Sequence, residues 1–427
     1  MKIVGLITEY NPFHNGHRYH IEQAKKITGA DHAVVIMSGD YVQRGIPAIM
    51  PKRLRAEMAL KCGASAVFEL PVCYATGSAE LFAAGAVSFL DRLGVVDSLV
   101  FGSESNDLDS LSRIADLLLE EPDHYRFVLQ SYLKKGASFP SARQEAVSAC
   151  LHENDCSILL NDPNNILGIE YLKALKRQKS KIKPYTISRR GAHYHEQELH
   201  DSYSSASAIR SLLAYSGSAL HIAHTDEPDT SGLHHILGEL EQQVPEPCIE
   251  LLKDYHQTLY PIYQNDFSLI LKYKLLNKRP ETLIRYMDIS QELANRICSQ
   301  LNHYFHYQQF CELLKTRELT QTRINRALLH IMLGIKKKNV AAYTSDGFHY
   351  YAHLLGFRKD SSKVISAIAK QSQLPLLTKL YDTNTLSERG QKMLTHDILA
   401  SNLYTSVITD KYKTAFKNEY NQRILKV

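Results

Sequence analysis

Four short apolar runs punctuate the first hundred residues: Ile3-Val4-Gly5-Leu6-Ile7, residues 33–37, Ala66-Val67-Phe68-Glu69-Leu70 and Ser98-Leu99-Val100-Phe101. None alternates polar with apolar, so each reads as a strand buried on both faces. Helical patterns separate them. Residues 17–27 place Tyr19, Ile21, Ala24 and Ile27 on one face, residues 51–62 carry Leu54, Met58 and Leu60, and residues 77–90 form a third. Strands in this setting pair in parallel, and right-handed crossovers give a Rossmann-like α/β sheet with ligands at the strands' carboxyl ends. Residues 108–175 read as mostly helical, with Asp162-Pro163 as a helix start. Residues 182–187 read as a last strand and residues 205–213 as a helix.

The chain has 427 residues and 44% hydrophobic content, which predicts two or three domains rather than one core. Gly, Ser, Asp, Thr and Pro concentrate in residues 215–247, which we take as a boundary. This divides the chain into an α/β region at 1–214 and a mainly α-helical region at 248–427. The second region is basic: Lys272, Lys274, Lys278 and Arg279 cluster, as do Arg317, Arg323 and Arg326, then Lys336, Lys337 and Lys338, and finally Lys411, Lys413, Lys417, Arg423 and Lys426. Tyrosines are interleaved, a combination suited to RNA backbone contact and base stacking, although any single cluster also fits a solvated helix face. The net charge of +5 permits a polyanionic partner without demanding one. The seven cysteines form no CxxC pair, which favours a reducing cytoplasm over a disulfide framework or zinc site. The run 3–7 is too short for a signal-peptide core, and no apolar stretch reaches membrane-spanning length, so a soluble protein is expected.

His14-Asn15-Gly16-His17 stands directly after the first strand and opens the first helix. A helix N-terminus offers unpaired N–H groups and partial positive charge. Gly16 lets the backbone approach phosphate oxygens. Two imidazoles one helical step apart can hold the negative charge that develops when an α-phosphorus is attacked. Read in this context, His14 and His17 are the catalytic pair of a phosphate site. Phe101-Gly102-Ser103-Glu104 follows the fourth strand, where this fold binds a nucleotide base, and also fits an ordinary strand-to-helix turn. Ser205-Ala206-Ser207-Ala208-Ile209-Arg210 places a hydroxyl and a guanidinium at a helix start, a second anion clamp. Asp40, Gln43 and Arg44, after the second strand, are candidates for positioning a second substrate. His193, His195 and His200 lack a supporting carboxylate pattern, so no metal site is assigned. Mg²⁺ is expected to arrive on the phosphates of the nucleotide.

Longer strings carry a resemblance. Gly5-Leu6-Ile7-Thr8-Glu9-Tyr10-Asn11-Pro12-Phe13-His14-Asn15-Gly16-His17 is one. Ser38-Gly39-Asp40-Tyr41-Val42-Gln43-Arg44-Gly45, Pro163-Asn164-Asn165-Ile166-Leu167-Gly168 and Arg323-Ile324-Asn325-Arg326-Ala327-Leu328-Leu329 are the others. Together they resemble the bacterial tRNA(Met) cytidine acetate ligases, of the HIGH-type nucleotidyltransferase superfamily, over essentially the whole chain. The resemblance implies that acetate and ATP give acetyl-adenylate and pyrophosphate, and that the wobble cytidine of elongator tRNA(Met) then takes the acetyl group, giving N4-acetylcytidine and AMP. It implies an ATP site lined by residues 7–20, including Arg18, Tyr19 and His20, and completed by Gly102, Asn164 or Asn165, and Arg189 with Arg190. It departs from the superfamily at Ala206, where a second hydroxyl residue is usual, and no catalytic lysine is assigned. The competing readings are a small-molecule nucleotidyltransferase that joins a nucleotide to a phosphorylated substrate, and a non-catalytic RNA-binding protein that retains the fold.

Overall fold

The computed structural model describes residues 1–151, 159–189, 205–218, 231–316, 318–381 and 383–427. The predicted runs form strands β1 (Ile3–Thr8), β2 (His32–Ser38), β5 (Ala66–Leu70), β6 (Ser98–Ser103) and β7 (Lys183–Ser188), with the two-residue strands β3 (Tyr41–Val42) and β4 (Ile46–Pro47) pairing as a small hairpin between β2 and β5. Strands β5, β2, β1, β6 and β7 lie in that order, all parallel. The order reverses between β1 and β6, so the crevice opens at the carboxyl ends of those two strands. Both faces are covered, as the unalternating runs required. Ile3, Val34, Ile36, Phe68 and Phe101 enter one core, whereas Val4, Leu6, Val35, Met37, Val67 and Val100 enter the other.

Residues beyond 248 are mostly helical, but they return to the sheet. Strand β8 (Ala352–Phe357) pairs antiparallel with β5, while β9 (Leu376–Leu377) and β10 (Leu425–Lys426) pair with β8. The sheet is therefore eight-stranded, with one antiparallel junction. The region 215–247 also differs from a bare linker. One helix spans Ala206–Ser218 and another Ser231–Gln243, and Leu233, Ile236, Leu237 and Leu240 of the latter enter the second core. Their i, i+3, i+4, i+7 spacing is an amphipathic helix signal that the surrounding Gly and Pro residues obscure. Lys52, buried in helix α2 (Lys52–Lys61), joins the two ends of the chain: its Nζ lies 2.7 Å from Glu69, 3.0 Å from Glu419 and 2.5 Å from Ser401 Oγ. His353 of β8 lies 2.8 Å from the same Glu69.

Candidate active site

Helix α1 (Asn15–Thr28) begins with His14 as its N-cap. The His14 Nδ1 accepts the backbone N–H of Gly16 at 3.1 Å, and the His17 Nδ1 accepts that of His14 at 3.3 Å. Histidines thus form a reciprocal capping box, the role usually taken by Ser and Glu. Their rings stack with centroids 3.8 Å apart. Tyr10 and Phe13 press on the His17 ring at 4.8 and 5.5 Å. Burial, then the Arg189 and Arg210 charges, lowers the His14 pKa to about 3, and burial with His14, His20 and Arg189 lowers that of His17. Both rings are neutral at pH 7. Because each Nδ1 accepts a backbone N–H, the single ring proton sits on Nε2. The helix start therefore presents two fixed Nε2–H donors without a competing positive charge.

These rings border a cleft at the β1/β6 switch point. Its lining includes Ile7, Thr8, Glu9, Tyr10, Asn11, Gly16, Tyr19 and His20 from the first segment, Gln43 and Arg44 from the hairpin, and Gly102, Asn164, Arg189, Ser205 and Arg210 from later ones. The structure thus gathers most of the expected residues. Arg210 donates to Asn11 O at 2.6 Å and to Ser207 Oγ at 2.9 Å, which brings its guanidinium over the loop that follows β1. Ser205 Oγ caps its helix by accepting from Ala208 N at 3.1 Å. A Cβ on Gly102 would come within 3.2 Å of the Arg189 stem, so Arg189 lies across the glycine's open face.

Several expected residues lie elsewhere. Arg18 points outward and pairs with Glu22 at 2.9 Å, because helical spacing turns it away from His14 and His17. Phe13 is buried in the second core, and Asn15 donates to Gln242 O at 2.8 Å. Pro12 follows a cis peptide bond in the same loop but is not part of the lining. Asp40 is buried and accepts from Lys52 N at 2.7 Å, so it shapes the hairpin rather than facing a substrate. Asn165 is also buried. Its Oδ1 accepts from Glu104 N and Ser105 N at 3.1 and 3.2 Å, while Glu104 accepts from Asn164 Nδ2 at 2.5 Å and Asn165 N at 3.0 Å. Of the two asparagines only Asn164 reaches the cleft. Arg190, His193, His195, His200 and Arg317 lie outside the described residues.

The basic residues divide. Lys274, Lys336 and Lys338 are exposed, and Arg323 is half-buried. Lys272 donates to Tyr304 O at 3.3 Å, and Lys337 to Ile289 O at 2.7 Å. Arg326 is held by a two-point ion pair to Asp288 at 2.8 and 3.3 Å, which commits it to the fold. Among the described residues, Glu69, His353 and Glu419 bring potential metal-ligand atoms within 4.8 Å of one another, but the Lys52 ammonium supplies the counter-charge there.

Arg55 also shapes the site. Fully buried in α2, it donates to Met50 O at 3.1 Å, Glu9 O at 2.5 Å, Ser38 O at 3.1 Å and Gly39 O, tying the carboxyl ends of β1 and β2 to the hairpin. Only its place among Leu54, Ala56 and Met58 could have marked it, since its four acceptors are scattered in sequence. Phe82, Phe101, Leu167 and Tyr171 add apolar lining to the cleft.

This sheet, with its switch-point cleft and histidine-capped helix, defines a nucleotidyl transferase. The family model described as HIGH Nucleotidyl Transferase matches residues 1–420, and the chain belongs to that family. Within it the chain is a member of the tRNA(Met) cytidine acetate ligase group. It is 38% identical to the tRNA(Met) cytidine acetate ligase of Alkaliphilus metalliredigens, covering 96% of this chain and 95% of that one. It is 37% identical to the enzyme of that name from Acetivibrio thermocellus, over the full length of both. Thermotoga maritima TmcAL superposes at 30% identity over the full length of both chains, with a TM-score of 0.88 bound with alpha-thio ATP and 0.90 in an apo form.

Proposed function

We propose that this chain acetylates the wobble cytidine of elongator tRNA(Met), using ATP and acetate through an acetyl-adenylate. The observation that carries the reading is the histidine-capped start of α1, whose His14 and His17 rings line one cleft with Arg189 and Arg210. An acetate oxygen attacks the α-phosphorus of ATP, and pyrophosphate leaves with the electron pair of the broken P–O bond. Negative charge rises on the α-phosphate oxygens, where donors fixed before the reaction stabilise it without reorganisation. Mg²⁺ enters as part of the MgATP substrate. The exposed Lys274, Lys336 and Lys338 suit contact with an RNA backbone. The names of the relatives supply tRNA(Met) and acetate as partners. No helix among the described residues is long and apolar enough to cross a membrane, and a reaction on tRNA fits the cytoplasm.

The test is acetate-dependent exchange of labelled pyrophosphate into ATP. Exchange that requires acetate supports adenylation. Exchange that is indifferent to acetate contradicts it.

A further inference from the structure

Acetyl transfer needs a proton acceptor, because the exocyclic amine of cytosine is weakly basic and must lose a proton as its N–C bond forms. The cleft narrows the choice. His14 and His17 are excluded: each Nδ1 is taken by a backbone N–H and each Nε2 carries the ring proton. His20 commits its Nε2 to Val100 O at 3.1 Å, and burial lowers its pKa to about 4, so its free nitrogen is a poor acceptor at neutral pH. Burial raises the pKa of two of the three lining phenols, Tyr10 and Tyr171, which therefore stay protonated. Glu9 is the one carboxylate among the described residues that line the cleft.

Glu9 follows β1 directly, five residues before His14. Its Oε1 accepts the Gln43 backbone N–H at 2.7 Å, which fixes one carboxylate oxygen against the hairpin. Its own carbonyl is held by Arg55 at 2.5 Å, so the backbone beneath it is clamped as well. The groups facing it are Arg44 of the hairpin, Arg55 of α2, Arg210 of the helix Ala206–Ser218 and Tyr171 of the helix Pro163–Arg177. Burial raises its pKa, while the Gln43 N–H and the three guanidinium groups pull it back. That balance leaves a carboxylate more basic than one at the surface.

Resting on the function proposed above, we infer that Glu9 is the general base for the second half-reaction. The cytidine N4 attacks the carbonyl carbon of acetyl-adenylate, and an N–C bond forms. The C–O bond to the phosphoryl group breaks, and its electron pair leaves with AMP. The N4 proton passes to the Glu9 carboxylate and then to water.

The experiment compares wild type with Glu9→Gln, which keeps an oxygen to accept from Gln43 N–H. Wild-type protein is first assayed with ATP, acetate and tRNA(Met); absence of N4-acetylcytidine there overturns the functional reading itself. With that activity in hand, E9Q is expected to slow single-turnover acetyl transfer by ~10²-fold or more, within the range for removing a general base. Acetate-dependent pyrophosphate exchange should fall less than transfer does, so the ratio of transfer to exchange should drop. The wild-type transfer rate should fall on the acid side as Glu9 protonates, and E9Q should lose that limb. Equal losses in exchange and transfer, relieved by excess Mg²⁺, would make Glu9 a ligand of the MgATP metal and overturn the inference. Unchanged transfer in E9Q would also overturn it.

Discussion

The ring of His17 accepts the backbone N–H of His14 while the two imidazoles stack 3.8 Å apart. The first histidine is thereby oriented by the second, and both Nδ1 atoms are spent on the helix start. This separates two jobs within one side chain. Nδ1 holds the cap, and Nε2–H serves the ligand.

His14→Asn tests that separation. Asparagine is a favoured N-cap, and its Oδ1 can replace Nδ1 as acceptor for Gly16 N–H. The melting temperature should hold within about a degree or two, as for a cap replaced by an equal one. Acetate-dependent exchange should drop ~10²-fold or more, the scale for losing one fixed donor to a developing oxyanion. Full activity in the folded variant would show that Nε2–H is dispensable.

Lys52 neutralises Glu69 and Glu419 in a buried cluster that joins α2 to both the sheet and the C-terminal residues. Lys52→Met removes the shared ammonium from both carboxylates and leaves Glu69 with His353 and Glu419 with Arg53. The expected cost is about 3–5 kcal/mol, read from denaturant unfolding. A change below about 1 kcal/mol, the worth of an ordinary exposed ion pair, would contradict the assignment.

Gly45 has φ +73°, and a Cβ there would fall 2.3 Å from the backbone nitrogen of Arg326. The hairpin that carries Gln43 and Arg44 therefore rests directly on the helix Gln321–Leu333. Gly45→Ala should destabilise the protein by ~1–3 kcal/mol or more, since both the left-handed backbone and the contact oppose it. Acetyl transfer should suffer with it as the hairpin shifts; wild-type stability and rate would refute the close contact.

Burial pushes His14 and His349 to about 3 and His20 to about 4, below the ~6.5 expected when unfolded. A folded-state pKa below the unfolded one gives stability that is complete above the unfolded value and is lost as pH falls toward the folded one. Asp397, Asp40 and Glu9 are shifted upward by burial and work in the opposite direction, losing stability as pH rises from the ordinary carboxylate range. The lowered histidines, His17 and His330 included, outnumber these carboxylates, so the ligand-free melting temperature should fall between pH 7.5 and 5. A rise over that interval would contradict the neutral-imidazole assignment.

The parallel strands were legible because burial on both faces demands unbroken apolar runs, and the histidine motif because its place between strand and helix is itself informative. Strand β8 was not legible. His353 and Gly356 interrupt its short apolar run, and it lies among helical patterns, so only pairing with β5 identifies it. The roles of Arg18, Asp40 and Arg326 were similarly hidden. A charge near a motif reads the same whether it faces a cleft, as Arg44 does, or a partner such as Asp288, as Arg326 does. Glu22, one turn from Arg18, was the sole local clue to an outward pairing.

The central claim is tested most directly by incubating the protein with ATP, isotope-labelled acetate and elongator tRNA(Met), then digesting the tRNA and weighing its nucleosides. The account predicts labelled N4-acetylcytidine at the wobble position, with one AMP and one pyrophosphate released per acetyl group. Unmodified cytidine under those conditions would contradict it.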